Sequence, residues 1–146
     1  MPILDRESRV LAIQYVRRCE RYRARLAQQR EDILHSSPLP PDGQPKGGQP
    51  GDSTSQKAEQ LARLEQGHMA RVVRAVDAAK KEIGADILDE RAALALRKAI
   101  WMSCLSGFTY SYEVFAEMLP IGRTNFYERK NSFLKRIVEI LESADF

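Results

Sequence analysis

The sequence predicts an all-α protein: an N-terminal long helix, a Pro/Gly-rich linker, a helical segment and a C-terminal helix-turn-helix. Three observations carry this expectation. Apolar residues recur at helical spacings in separate stretches, the mark of helices with one buried face. No run of β-branched residues alternates with period two, as a half-buried strand would require. One segment dense in Pro and Gly divides the helical pattern into two parts.

The first helix is expected within residues 1–35. Leu4, Leu11, Tyr15, Tyr22, Leu26 and Ile33 form a narrow stripe with Arg and Glu between them, which suits a coiled-coil or helix-hairpin seam, and its length for a helix packed only on its own chain leads to the expectation of self-association. From Leu4 to Leu34 there are eight Arg against five acids, including Arg17, Arg18, Arg21, Arg23 and Arg25. Such a cluster reads either as a solvated helical face or as a phosphate-binding one, and the solvated face is the commoner of the two.

Residues 36–54 read as a flexible linker. SSPLPPDGQPKGGQPGDSTSQ holds five of the seven prolines and four of the eight glycines. Pro removes backbone donors and Gly raises the entropy lost on ordering, so neither helix nor strand ladder is expected there. GQPKGGQPG has glycines without the strand, helix and Lys-Ser/Thr pair of a phosphate-cradling loop.

The middle segment spans 55–105. Asp52, Ser53 and Thr54 are candidate caps for one long helix whose buried face is Leu61, Leu64, Met69, Val72, Val73, Val76 and Ile83, stopped by Gly84. A further helix runs from about Asp89 to Leu105 and ends at Gly107, with Trp101 expected in the core.

The last unit, 106–146, carries the chemistry. Ser111 is placed to cap a helix Tyr112–Leu119, Ala116 offers a small side chain for a steep crossing, and Pro120-Ile121-Gly122 forms a turn with Ile121 inward. Gly122 then caps a helix from Arg123 to about Glu142, buried through Phe126, Phe133, Leu134, Ile137, Ile140 and Leu141. With Phe126 inward, Arg123, Thr124, Tyr127, Glu128 and Asn131 are expected on the outer face, with positive charge added by Arg129, Lys130, Lys135 and Arg136. Pro120 to Arg136 holds five basic residues and one acid, so local positive charge is focused on one helix. Side chains of these types at the start of a helix hydrogen-bond base edges and phosphates in a major groove.

SYEVFAEMLPIGRTNFYERKNSFLKRI is similar to the helix-turn-helix of sigma-factor region 4, and most of the chain resembles late transcriptional regulators of the ArpU/RinA type from phages and prophages. The resemblance implies a DNA-binding activator of late genes that assists host RNA polymerase. By position it implies Arg123, Thr124, Tyr127 and Glu128 as base readers, with Asn125 and Arg129 on the backbone. The family's turn usually begins with Gly and its second helix with a Ser cap, where this chain has Pro120 and Gly122.

The remaining expectations are of classes excluded and partners. No paired carboxylates, nucleophile with a His, or cofactor motif points to an enzyme. Cys19 and Cys104, with only His35 and His68 beside them, signal neither a zinc site nor a disulfide framework and are expected as reduced, semi-buried thiols. Apolar runs stop well short of the roughly 20 residues that span a bilayer, so a cytoplasmic location without membrane contact is expected. The net charge of +3 permits nucleic acid as a partner without demanding it. Double-stranded DNA, host RNA polymerase and a second copy of the chain are the expected partners. The alternatives are a small terminase subunit, whose DNA-binding unit usually precedes its assembly segment, and a helical protein adaptor that binds no DNA.

Overall fold

A computed structural model describes residues 4–35, 50–106 and 111–143, all of them in helices, turns or connecting segments and none in a strand. The elements are α1 (Arg6–Leu34), α2 (Pro50–Gln66), α3 (His68–Glu82), α4 (Glu90–Ser106), α5 (Tyr112–Phe115), a 3-10 turn (Ala116–Met118) and α6 (Arg123–Glu142). The protein is all-α, and α1, α3 and α6 pack mutually at its centre, with α2 and α4 against them.

Asp5 fixes where α1 begins: its Oδ1 accepts from the Ser8 amide at 2.8 Å and its Oδ2 from the Ser8 hydroxyl at 3.0 Å. The buried stripe of α1 differs from the expected one. Ala12, Val16, Cys19 and Leu26 are buried, Tyr15 and Tyr22 are half-buried against the His68 ring, and Leu11 is exposed. The reason is α1's place in the fold. It packs on α2, α3, α4 and α6, and close approach of several helices selects the small residues of one side over the large ones beside them.

Two boundaries differ from the sequence expectation. α2 starts at Pro50, where a proline is tolerated because the first helical N–H has no intrahelical partner, so 50–54 belongs to the helix rather than to the linker. Asp52, Ser53 and Thr54 therefore fall within the span of the helix rather than before it. Residues 36–49 and Gly107 lie outside the described residues. The expected single helix to Ile83 is also broken at Gly67, whose extended backbone (ψ 169°) caps α3 instead. Glycine is a poor helix interior, and its carbonyl accepts from the Arg71 amide at 3.1 Å to start the new helix.

Gly84 ends α3 as expected, with φ +76° in the left-handed region. Here the backbone also passes close to α4. A Cβ on Gly84 would stand 3.1 Å from the Cβ of Ala93. Trp101 of α4 is buried, its ring centroid 6.5 Å from that of Phe133, with the Lys80 ammonium 4.0 Å over its face. Both cysteines are free and buried, and burial pushes each thiol up to about 11.

Candidate nucleic-acid interface

α6 is held in place from its buried side. Phe126, Phe133, Leu134, Ile137 and Ile140 are buried at the expected helical spacing, and Leu141 is half-buried. The segment before α6 is tighter than the sequence implies. Ser111 has the extended backbone of a cap but makes no side-chain capping bond, and the expected helix Tyr112–Leu119 is one α-turn followed by a 3-10 turn. Two tyrosines tie this segment down: the Tyr112 hydroxyl donates to the Ile121 carbonyl at 3.0 Å, and the Tyr127 hydroxyl accepts from the Tyr112 amide at 3.3 Å. Ile121 packs on the core, and the Phe126 ring lies 5.6 Å from Tyr112 and 5.1 Å from Tyr127.

Five of the expected site residues are exposed at the start of α6: Arg123, Thr124, Asn125, Glu128 and Asn131. Thr124, Glu128 and Asn131, all exposed, and the half-buried Lys135 succeed one another at spacings of four, three and four, forming one row opposite Phe126 and Phe133. Nothing crowds the entry to this row, since a Cβ on Gly122 would meet no atom within 4 Å.

Three expected site residues are placed differently. Lys130 is buried, and desolvation lowers its pKa, with the Cys104 charge opposing the shift. Its position explains this: residue 130 lies four after Phe126, on the same side of the helix. Tyr127 is half-buried, with its hydroxyl engaged by Tyr112. Arg129 grips Asp86 through both terminal nitrogens at 2.7 and 2.8 Å and donates from Nε to the Asn125 side chain at 2.6 Å. These hydrogen bonds hold the Asp86 carboxyl down at about 2.

The focused positive charge is thus partly spent within the fold. Arg136 is paired with Glu82 at 2.9 Å, and Arg123 lies 3.3 Å from Glu113. Glu113 and Arg123 are both exposed, so solvent screens this pair and Arg123 can exchange Glu113 for another anion. Sequence reasoning missed Asp86, Glu82 and Glu113 as charge partners. Asp86 and Arg129 are 43 residues apart, and no local signal links them. Among the described residues no three His, Cys, Asp or Glu side chains group as a metal site, and no helix is long and apolar enough to cross a membrane.

Compared with protein-family models, characterised proteins and solved structures, the chain matches none.

Proposed function

We propose that the chain is a sequence-specific DNA-binding transcriptional regulator, an activator of phage or prophage late genes, which reads the major groove with α6 presented by a helix-turn-helix. The observation that supports this best is the outward row of α6. Thr124, Glu128 and Asn131 carry exposed hydrogen-bonding groups with no apolar neighbour on the same line, Arg123 stands at the open end, and Phe126 holds the helix from behind. In this reading Arg123 leaves the exposed Glu113 for a guanine edge or a phosphate, and Asn131 pairs with an adenine edge. Asn125 and Arg129 steady the helix against Asp86 rather than reading bases. Host RNA polymerase and a second copy of the chain complete the proposed set of partners.

Selection of binders from a random duplex pool tests the reading. The wild-type chain should enrich one sequence, and Arg123→Ala should then weaken that duplex by about 1 to 3 kcal/mol and narrow its advantage over a scrambled one. A pool that enriches no sequence would end the proposal.

A further inference from the structure

α1 uses its arginines in two ways. Arg17 donates from Nε to the Cys104 carbonyl at 3.2 Å, Arg23 forks onto Asp77 at 2.7 and 2.9 Å, and Arg30 pairs with Glu65. These three join α1 to its neighbours. Arg18, Arg21 and Arg25 differ: all are exposed, and none makes a hydrogen bond or ion pair with a described residue. At spacings of three and four they stack on one line about 10 Å long, on the side of α1 opposite Ala12, Val16, Cys19 and Leu26.

Three like charges on one line repel, and among the described residues no acid forms an ion pair with any of them. A planar guanidinium is well suited to phosphate oxygens, and a row of unpaired ones suits a polyanion. Tyr22, one turn from both Arg18 and Arg25, is half-buried with its ring edge against His68, so it is held within the fold and leaves the row without a free apolar anchor of the kind protein interfaces depend on. The exposed Val10 and Leu11 lie about two turns before Arg18.

α6, by contrast, is short of free positive charge. Arg129 and Arg136 are ion-paired, Lys130 is buried, and Arg123 lies beside Glu113, which leaves half-buried Lys135 as the basic residue of Pro120–Arg136 outside both the core and any ion pair with a described residue. Duplex affinity comes largely from phosphate neutralisation, so a DNA-binding chain with this α6 needs cations elsewhere. α1 and α6 pack on each other and on α3 through their buried sides, so their outward rows point away from a common core. A straight duplex lying along one row leaves the other free.

We propose that Arg18, Arg21 and Arg25 form a second duplex-binding face, independent of base sequence, that grips backbone phosphates of a DNA segment other than the one α6 reads. The proposal rests on the reading of α6 given above, and the test separates the two. Equilibrium binding of the full chain is measured against a selected duplex and an unrelated one over a range of salt. Arg18→Gln/Arg21→Gln/Arg25→Gln, whose thermal melt should match the wild type, is expected to bind the unrelated duplex at least about tenfold more weakly. Three phosphate contacts at about 0.9 each should shrink its salt slope by about 2.7. Arg123→Ala/Asn131→Ala should do the reverse, losing the preference for the selected duplex and keeping affinity for the unrelated one. If the arginine variant binds the unrelated duplex with wild-type affinity and slope, the second face is wrong, and an acidic protein becomes the partner to seek. If the wild type binds both duplexes equally but the arginine variant still loses both, the α6 reading falls and the α1 face stands.

Discussion

At the scale of the residue, Lys130 carries the sharpest lesson. Its type suggested a phosphate contact, yet its position, one helical turn after Phe126, put it in the core beside Cys104. Burial favours its neutral form, so the cost of the charge is greatest at neutral pH and fades as pH rises from its lowered pKa towards the ordinary lysine value of about 10.5. Lys130→Met should therefore leave duplex affinity within about twofold and leave stability unchanged or raised, as followed by fluorescence anisotropy and urea unfolding. A loss of affinity above tenfold in the folded variant would return Lys130 to the interface. The periodicity that correctly placed Phe126, Phe133, Leu134, Ile137 and Ile140 inward thus held the answer for residue 130 as well, and amino-acid type was the misleading guide. The partners of Arg129 and Arg136 were not legible, because Asp86 and Glu82 meet them only through the packing of distant segments. The two thiols make a second prediction. Raised from 9.0 to about 11, each presents about a hundredth of the thiolate of an ordinary cysteine at pH 8, before burial restricts access further. A disulfide reagent should label Cys19 and Cys104 at least about a hundredfold more slowly in the native protein than in urea. Equal rates would place the thiols at the surface.

At the scale of the element, helices were legible because period and composition agree, and their ends were legible only where a residue has one conformational use. Gly84 is such a residue: φ +76° suits glycine, and the sequence marks it as a stop. Gly67 has ordinary φ and lies inside an apolar pattern that continues on both sides, so its break between α2 and α3 left little trace in the sequence. The difference can be measured. Gly84→Ala forces a side chain into the left-handed region and sets its Cβ 3.1 Å from that of Ala93 and 3.2 Å from the Ala93 Cα, so it should lower stability by about 1 to 3 kcal/mol in urea unfolding. Gly67→Ala meets only carbonyl oxygens at 3.4 and 3.6 Å and needs no unusual φ, so it should change stability by no more than about 1 kcal/mol. Equal effects at the two glycines would show that conformation does not decide between them.

At the scale of the whole molecule, the described helices share one core, and α1 is inside it. The sequence suggested an N-terminal helix free to build an oligomer, because Leu4, Leu11, Tyr15 and Tyr22 look like a seam when the helix is read alone. What no local pattern conveys is that Ala12, Val16, Cys19 and Leu26 are buried by the packing of α1 on α2, α3, α4 and α6 of the same chain. Removing residues 1–35 strips those four side chains from the core, a loss of roughly 6 kcal/mol in apolar burial even before the surfaces left bare on α3 and α6 are counted. It also removes Arg23 and Arg30 from Asp77 and Glu65. A domain's whole stability is only about 5 to 15 kcal/mol, so a fragment of residues 50–146 should lack a cooperative thermal transition, and α6 should lose its support. Circular dichroism melting of that fragment beside the full chain provides the check. A fragment that melts cooperatively near the full-length temperature would show that α1 docks on a finished domain, and would make the α1 arginines and the α6 row separable modules rather than two faces of one body.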